Sequence, residues 1–211
     1  MNLFLRAKHW QLFLLSFGIP LLLEIVMMAS IFSHLLHQAN VPPDPYVLFG
    51  YFNLFPVIML LFMGTMLGWQ WSVATGLQKL LPAGITMKVT MFKTFLIIPV
   101  IYICLILGFM SYFVSAGFHR SEVVDYGIYI SISFAVIIPL HLFSMFCLFY
   151  CLYFVAKTLK TVELQREAGF SDFAGEFFLT WFFPIGVWIL QPRINKMIKD
   201  HEPVDEPGQQ D

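Results

Sequence analysis

Residues 11–36 read QLFLLSFGIPLLLEIVMMASIFSHLL, and the only formal charge among them is Glu24, near the middle. A helix needs about 20 predominantly apolar residues to cross the hydrocarbon core of a bilayer, and this run exceeds that. A carboxylate at such a depth is costly, so it normally faces protein or water instead of lipid. The run therefore predicts a transmembrane helix, and the rest of the chain reads as walls built around it.

Composition supports this class. Of the 211 residues, 59% are apolar and 12% charged, against roughly 25% charged in an average soluble domain. The net charge of −1 gives no sign of nucleic-acid binding. Cys104, Cys147 and Cys151 all lie in apolar runs, which suits small-residue packing and not a disulfide framework. Arg6 and Lys8 precede the first run as they would in a signal peptide. The run is too long for a signal h-region, however, and no A-x-A site follows it, so an uncleaved first span over about 10–36 is expected. Pro20 predicts a kink in it.

Beyond it, Val41-Pro42-Pro43-Asp44-Pro45 predicts a rigid turn. A second span is expected over about 46–68. It ends in Gly64-Thr65-Met66-Leu67-Gly68, a G-x-x-x-G face that lets another helix approach closely. Residues 69–93 read as a loop. Val73, Leu77, Leu80 and Leu81 follow helical spacing there, which predicts a short amphipathic helix on the membrane surface. A third span over about 94–114 and a fourth over about 126–156 follow. The fourth continues as a polar helix that ends at Gly169. The alternating charges Lys160, Glu163, Arg166 and Glu167 read there as a solvated face.

Lys and Arg set the orientation. Arg6, Lys8, Lys79, Lys88, Lys93, Lys157, Lys160 and Arg166 fall on one side, and Arg120 falls on the other. The N-terminus and the 69–93 loop are expected in the cytoplasm. Residues 173–191 break the regularity, because a fifth span would place Arg193, Lys196 and Lys199 outside. Pro184 and Gly186 interrupt the segment at its centre, so a re-entrant or interfacial segment is the favoured reading, with an ordinary fifth span as the alternative. Residues 1–199 form one membrane domain, and 200–211 form an acidic tail with a disordered composition. The expected fold class is all-α: a polytopic helix bundle of four full spans plus a short Pro/Gly-broken fifth segment.

The candidate polar residues inside the membrane are Glu24, His141 and Glu176. Counting along their helices places Glu24 and His141 at similar depth, where a contact would make either a structural pair or a proton relay. Glu176 lies early in the fifth segment, behind Ser171 and Asp172, where a carboxylate suits a helix N-terminus; Arg193 or Arg166 is the alternative partner. His34 and His37 lack a third ligand nearby in sequence, so no metal site is assigned, and no cofactor is implied. Neither a phosphate loop nor a catalytic signature is present.

Two resemblances attach to specific runs. Residues 156–165 (AKTLKTVELQ), 171–176 (SDFAGE), 181–188 (WFFPIGVW) and 191–195 (QPRIN) resemble a family of uncharacterised bacterial multi-pass inner-membrane proteins. That likeness implies a bacterial cytoplasmic-membrane location and carries over no catalytic residue. Residues 46–103, with Leu80-Leu81-Pro82 and Phe92-Lys93, more weakly resemble the coupling region of ABC-2 type permeases. Such permeases usually have six spans. The functional expectation is a non-enzymatic membrane component, permease-like or an accessory subunit of a transport complex. Its partners would be the lipid bilayer and a subunit docking on the cytoplasmic face at 73–93. The alternatives are a stand-alone proton-coupled transporter or channel using Glu24 and His141, and a membrane-embedded enzyme.

Overall fold

The computed structural model describes residues 3–37, 54–119 and 126–201, with side-chain detail except at 112–119 and 126–133. The expected turn at 41–45, the start of the second span from Tyr46, the loop at 120–125 and the tail from 202 onward lie outside the described residues.

The described residues are helical, with no strand among them. The order is α1 (Leu3–Arg6), α2 (His9–His37), α3 (Phe55–Gly76) with a 3-10 turn at Leu77–Leu80, α4 (Val89–His119), α5 (Tyr126–Leu164), α6 (Phe170–Trp181) and α7 (Phe183–Asp200). Four stretches are long and apolar enough to cross a membrane: His9–His37, Phe55–Leu80, Val89–Ser111 and Phe134–Leu164.

Within α2, Leu14–Gly18 wind as a π-helix. Pro20 has no N–H to give the carbonyl of Ser16, which accounts for an irregular turn at this point. The distortion thus falls just before the proline.

α3 is the central span. In its most apolar window 44% of residues are buried, against 22, 17 and 22% in the other three. It also corrects two expectations. No separate surface helix begins at Val73: α3 runs unbroken through Gly76, and Trp69, Val73, Ala74 and Leu77 are buried in the core. The apolar stripe that suggested a membrane-surface face is a core face. The glycine pair also differs. A Cβ at Gly64 would meet nothing within 4 Å, whereas one at Gly68 would lie 2.9 Å from the Phe4 ring and one at Gly76 would press on the Leu5 side chain. The close approach is therefore made by α1, at Gly68 and Gly76.

The core is gathered at one end of the bundle, here termed the base. Trp69, Leu77, Phe92, Val155, Phe183 and Ile194 are fully buried there, drawn from α3, α4, α5 and α7. The Phe92 and Phe154 rings stack at 4.8 Å, and Trp69 meets Phe183 edge-on at 5.2 Å. Away from the base, large apolar side chains such as Leu22, Ile25, Leu105, Val136 and Leu142 are exposed. Such a surface is unfavourable in water and matches lipid.

α5 ends at Leu164, where Gln165 takes the left-handed conformation (φ 51°). Gly169 opens α6 from an extended conformation and does not close α5. The fifth apolar segment is a helical hairpin. The break falls at Phe182 (φ −85°, ψ 57°), and Pro184 lies in the first turn of α7, where its missing N–H costs nothing. Gly186 lets the two arms touch, because a Cβ there would overlap the Leu179 carbonyl. At 1.5 Å per residue α6 is roughly 18 Å long, short of a span of about 30 Å. α7 has 18 residues but carries Arg193, Lys196, Lys199 and Asp200, so among the described residues no fifth helix is both long and apolar enough to cross a membrane.

Candidate functional site

The base carries two polar networks, both anchored on α7. The first centres on Gln191, which is fully buried. Its Oε1 accepts from Trp69 Nε1 at 2.7 Å. Its Nε2 donates toward the carbonyls of Phe4 (3.0 Å), Leu5 (3.2 Å) and Ala7 (3.0 Å) and toward Asn195 Oδ1 (3.0 Å). Two protons are shared among four acceptors. Asn195, one turn further along the same face, donates Nδ2 to the Ala7 carbonyl at 3.1 Å. A four-residue helix leaves its last carbonyls without backbone donors, and α7 supplies them. His9 and Phe13 then pack against Trp188, with ring centroids at 4.7 and 5.5 Å. The start of the first span is thereby tied to the hairpin.

The second network is ionic. Arg193 Nη2 donates to Glu176 Oε1 at 2.8 Å and to Glu163 Oε2 at 2.6 Å. Lys160 Nζ donates to Glu163 at 2.8 Å and lies 3.4 Å from Glu176. Two cations and two carboxylates alternate, joining α5, α6 and α7. Glu176 is the most deeply placed member, 6% exposed. Burial raises its carboxyl, but the Arg193 hydrogen bond and the neighbouring cations outweigh this and hold it below the ordinary range. Burial likewise disfavours the Arg193 charge, and the bonds to Glu176 and Glu163 reverse that. Glu176 is thus an ion-pair partner of Arg193 and not a helix-terminus carboxylate. The charges that read as a solvated face are Lys160 and Glu163 inside the network, Lys157 paired with Glu167 at 2.8 Å, and Arg166 forked onto Asp172 at 2.9 and 3.0 Å. Asp172 also accepts from the Gly169 N–H at 2.9 Å, closing the α5–α6 turn.

Glu24 and His141, counted to similar depth, are not paired with each other. His141 Nδ1 bonds the Tyr102 hydroxyl at 2.9 Å, joining α4 to α5. Glu24 is exposed on α2, away from both base networks. His37 Nδ1 donates to the Ser33 carbonyl on its own helix at 2.8 Å. Among the described residues, no group of three or more metal-ligating side chains occurs. The buried Ser16 hydroxyl and Gln70 amide have no hydrogen-bond partner among the described residues.

Sequence reasoning missed Trp69, Gln191 and Asn195 as a network. The available signal was the polar residues at 191, 193 and 195 directly after an apolar run. The networks fix helix ends in place and present no nucleophile with an adjacent base. Four apolar helices of spanning length around this base define a multi-pass membrane protein. Comparison with known proteins finds no matching family, curated protein or solved structure.

Proposed function

We propose that this protein is a non-catalytic component of a membrane transport complex, embedded in a bacterial cytoplasmic membrane with the base on the cytoplasmic side. One observation carries the reading. The ends of α1, α3, α5, α6 and α7 are joined into one polar-laced layer by Gln191 and by the Lys160–Glu163–Glu176–Arg193 network. Such a layer can take up force from a soluble subunit and pass it to the spans as a unit. Within the partner stretch expected at 73–93, Val73, Ala74, Leu77 and Phe92 are buried in the core, and Lys79, on the turn that leaves α3, and Lys88, just before α4, are the exposed charges left for a partner. The α6–α7 hairpin would rest in the same leaflet, since its tip exposes Phe178, Trp181, Phe182, Ile185 and Trp188 while its base is ion-paired.

The test is purification of the tagged native protein in mild detergent, with co-purifying proteins quantified. A stoichiometric partner lost on charge reversal at Lys79 and Lys88 supports the reading. A solitary protein overturns it. A stand-alone proton-coupled transporter is a second reading, favoured by the Tyr102–His141 bond inside the apolar spans. Proton flux in liposomes that vanishes in His141→Ala would replace the first reading with this one.

A further inference from the structure

A groove of about 370 Å3 is lined by α3 and α4. That volume lies within the roughly 300–1,000 Å3 typical of small-ligand sites. Leu60, Gly64 and Leu67 line one wall, and Leu96, Val100 and Ile103 line the other. From Leu60 to Trp71 the groove follows about 16 Å of helix at 1.5 Å per residue. Its floor is open at Gly64, where a Cβ would touch nothing. Val57, Ile97 and Ile101 on the same two helices are exposed. Both walls belong to spanning-length helices, so the mouth opens onto acyl chains and not water. At the base end Trp71 closes the groove, and Lys93 Nζ stands 5.4 Å from the centre of its ring.

We infer that this groove holds one acyl chain of an anionic bilayer phospholipid, with the headgroup phosphate at Lys93. The apolar walls accept the chain, and the ammonium at one end distinguishes an anionic lipid from a zwitterionic one. A lysine near a membrane surface contributes about 1 kcal/mol toward an anionic lipid, or about fivefold in occupancy. A helix from a second copy is the competing occupant, since Gly64 would also admit one.

The test uses the full chain in liposomes of phosphatidylcholine or phosphatidylglycerol carrying a photoreactive group near the end of one acyl chain, with adducts mapped by mass spectrometry. Adducts concentrated on 60–64 and 100–104, the end of the groove remote from Lys93, and about fivefold more abundant with phosphatidylglycerol, are expected. Lys93→Gln should remove that preference while leaving the adduct positions unchanged. Gly64→Leu should lower groove adducts at least tenfold. If Gly64→Leu fails to accumulate, Cys104→Phe narrows the groove from the opposite wall and should have the same effect. Adducts spread over α2, α4 and α5 in proportion to exposure would overturn the inference. So would equal labelling by the two lipids, or a dimer that Gly64→Leu dissociates.

Discussion

The two halves of this bundle obey different rules. At the base, Trp69, Gln191, Phe183 and Val187 are fully buried, and each buried polar atom of Gln191 has a partner. Away from it, α2, α4 and α5 expose Leu22, Ile25, Leu105 and Val136. The base is specified by protein against protein, through close packing and directed bonds. The outer half is specified by protein against lipid, which asks for apolar character and little else. Substitutions should therefore be expensive at the base and nearly silent outside it.

The largest contrast is between two glycines. Gly186→Leu puts a side chain into the Leu179 carbonyl, and the backbone cannot yield cheaply. Overpacking of this kind costs about 3 kcal/mol or more, so the variant should unfold well below wild type in detergent melts. Gly64→Ala, in open space, should melt within about 0.5 kcal/mol of wild type. Equal effects of the two would break the comparison.

Next comes Arg193→Ala, which leaves Glu176 buried with only the longer Lys160 contact. Full burial would cost roughly 3–5 kcal/mol, and the partly exposed arginine reduces this to about 2 kcal/mol. The double variant Arg193→Met/Glu176→Gln should recover part of the loss, because no unpaired charge remains. Gln191→Ala should cost about 2 kcal/mol by stripping partners from the Trp69 N–H and the Phe4–Ala7 carbonyls. Its signature is local: limited proteolysis should open the N-terminal segment before the bundle melts.

Acid should act on the base first. The Glu176 carboxyl is held below its unfolded value, so its contribution is complete above the ordinary carboxylate range and disappears as pH falls through the lowered value. Melts should weaken on acidification below that range, and Glu176→Gln should flatten the dependence. The smallest effect is expected at Ile25→Ala, with less than about 0.5 kcal/mol in detergent, since the side chain is exposed on α2.

Much of this architecture was legible from residue order. The runs around Glu24, Met59, Ile101 and Cys147 exceed the length a bilayer requires, and spanning length is a local property of the chain. Pro184 and Gly186 marked an interruption, though the helix break itself sits at Phe182 because proline favours the first turn of a helix. Pairing was another matter. Glu24 and His141 matched in counted depth, yet helix rotation turned Glu24 outward and gave His141 to Tyr102. Val73 and Leu77 carry a periodicity that suits a lipid surface or a core equally well, and only the packing of α7 and α5 against α3 assigned them to the core.

By itself, then, the sequence determined a helical membrane bundle, the four spanning runs and the fact that the fifth segment is interrupted, because each follows from hydropathy and backbone chemistry within a few turns. The tertiary structure alone decided that Gln191 secures the N-terminus 184 residues away at Ala7, that Arg193 bridges Glu163 and Glu176, and that Gly68 and not Gly64 takes the close contact. Those outcomes depend on the rotation and crossing of whole helices, which no local pattern encodes.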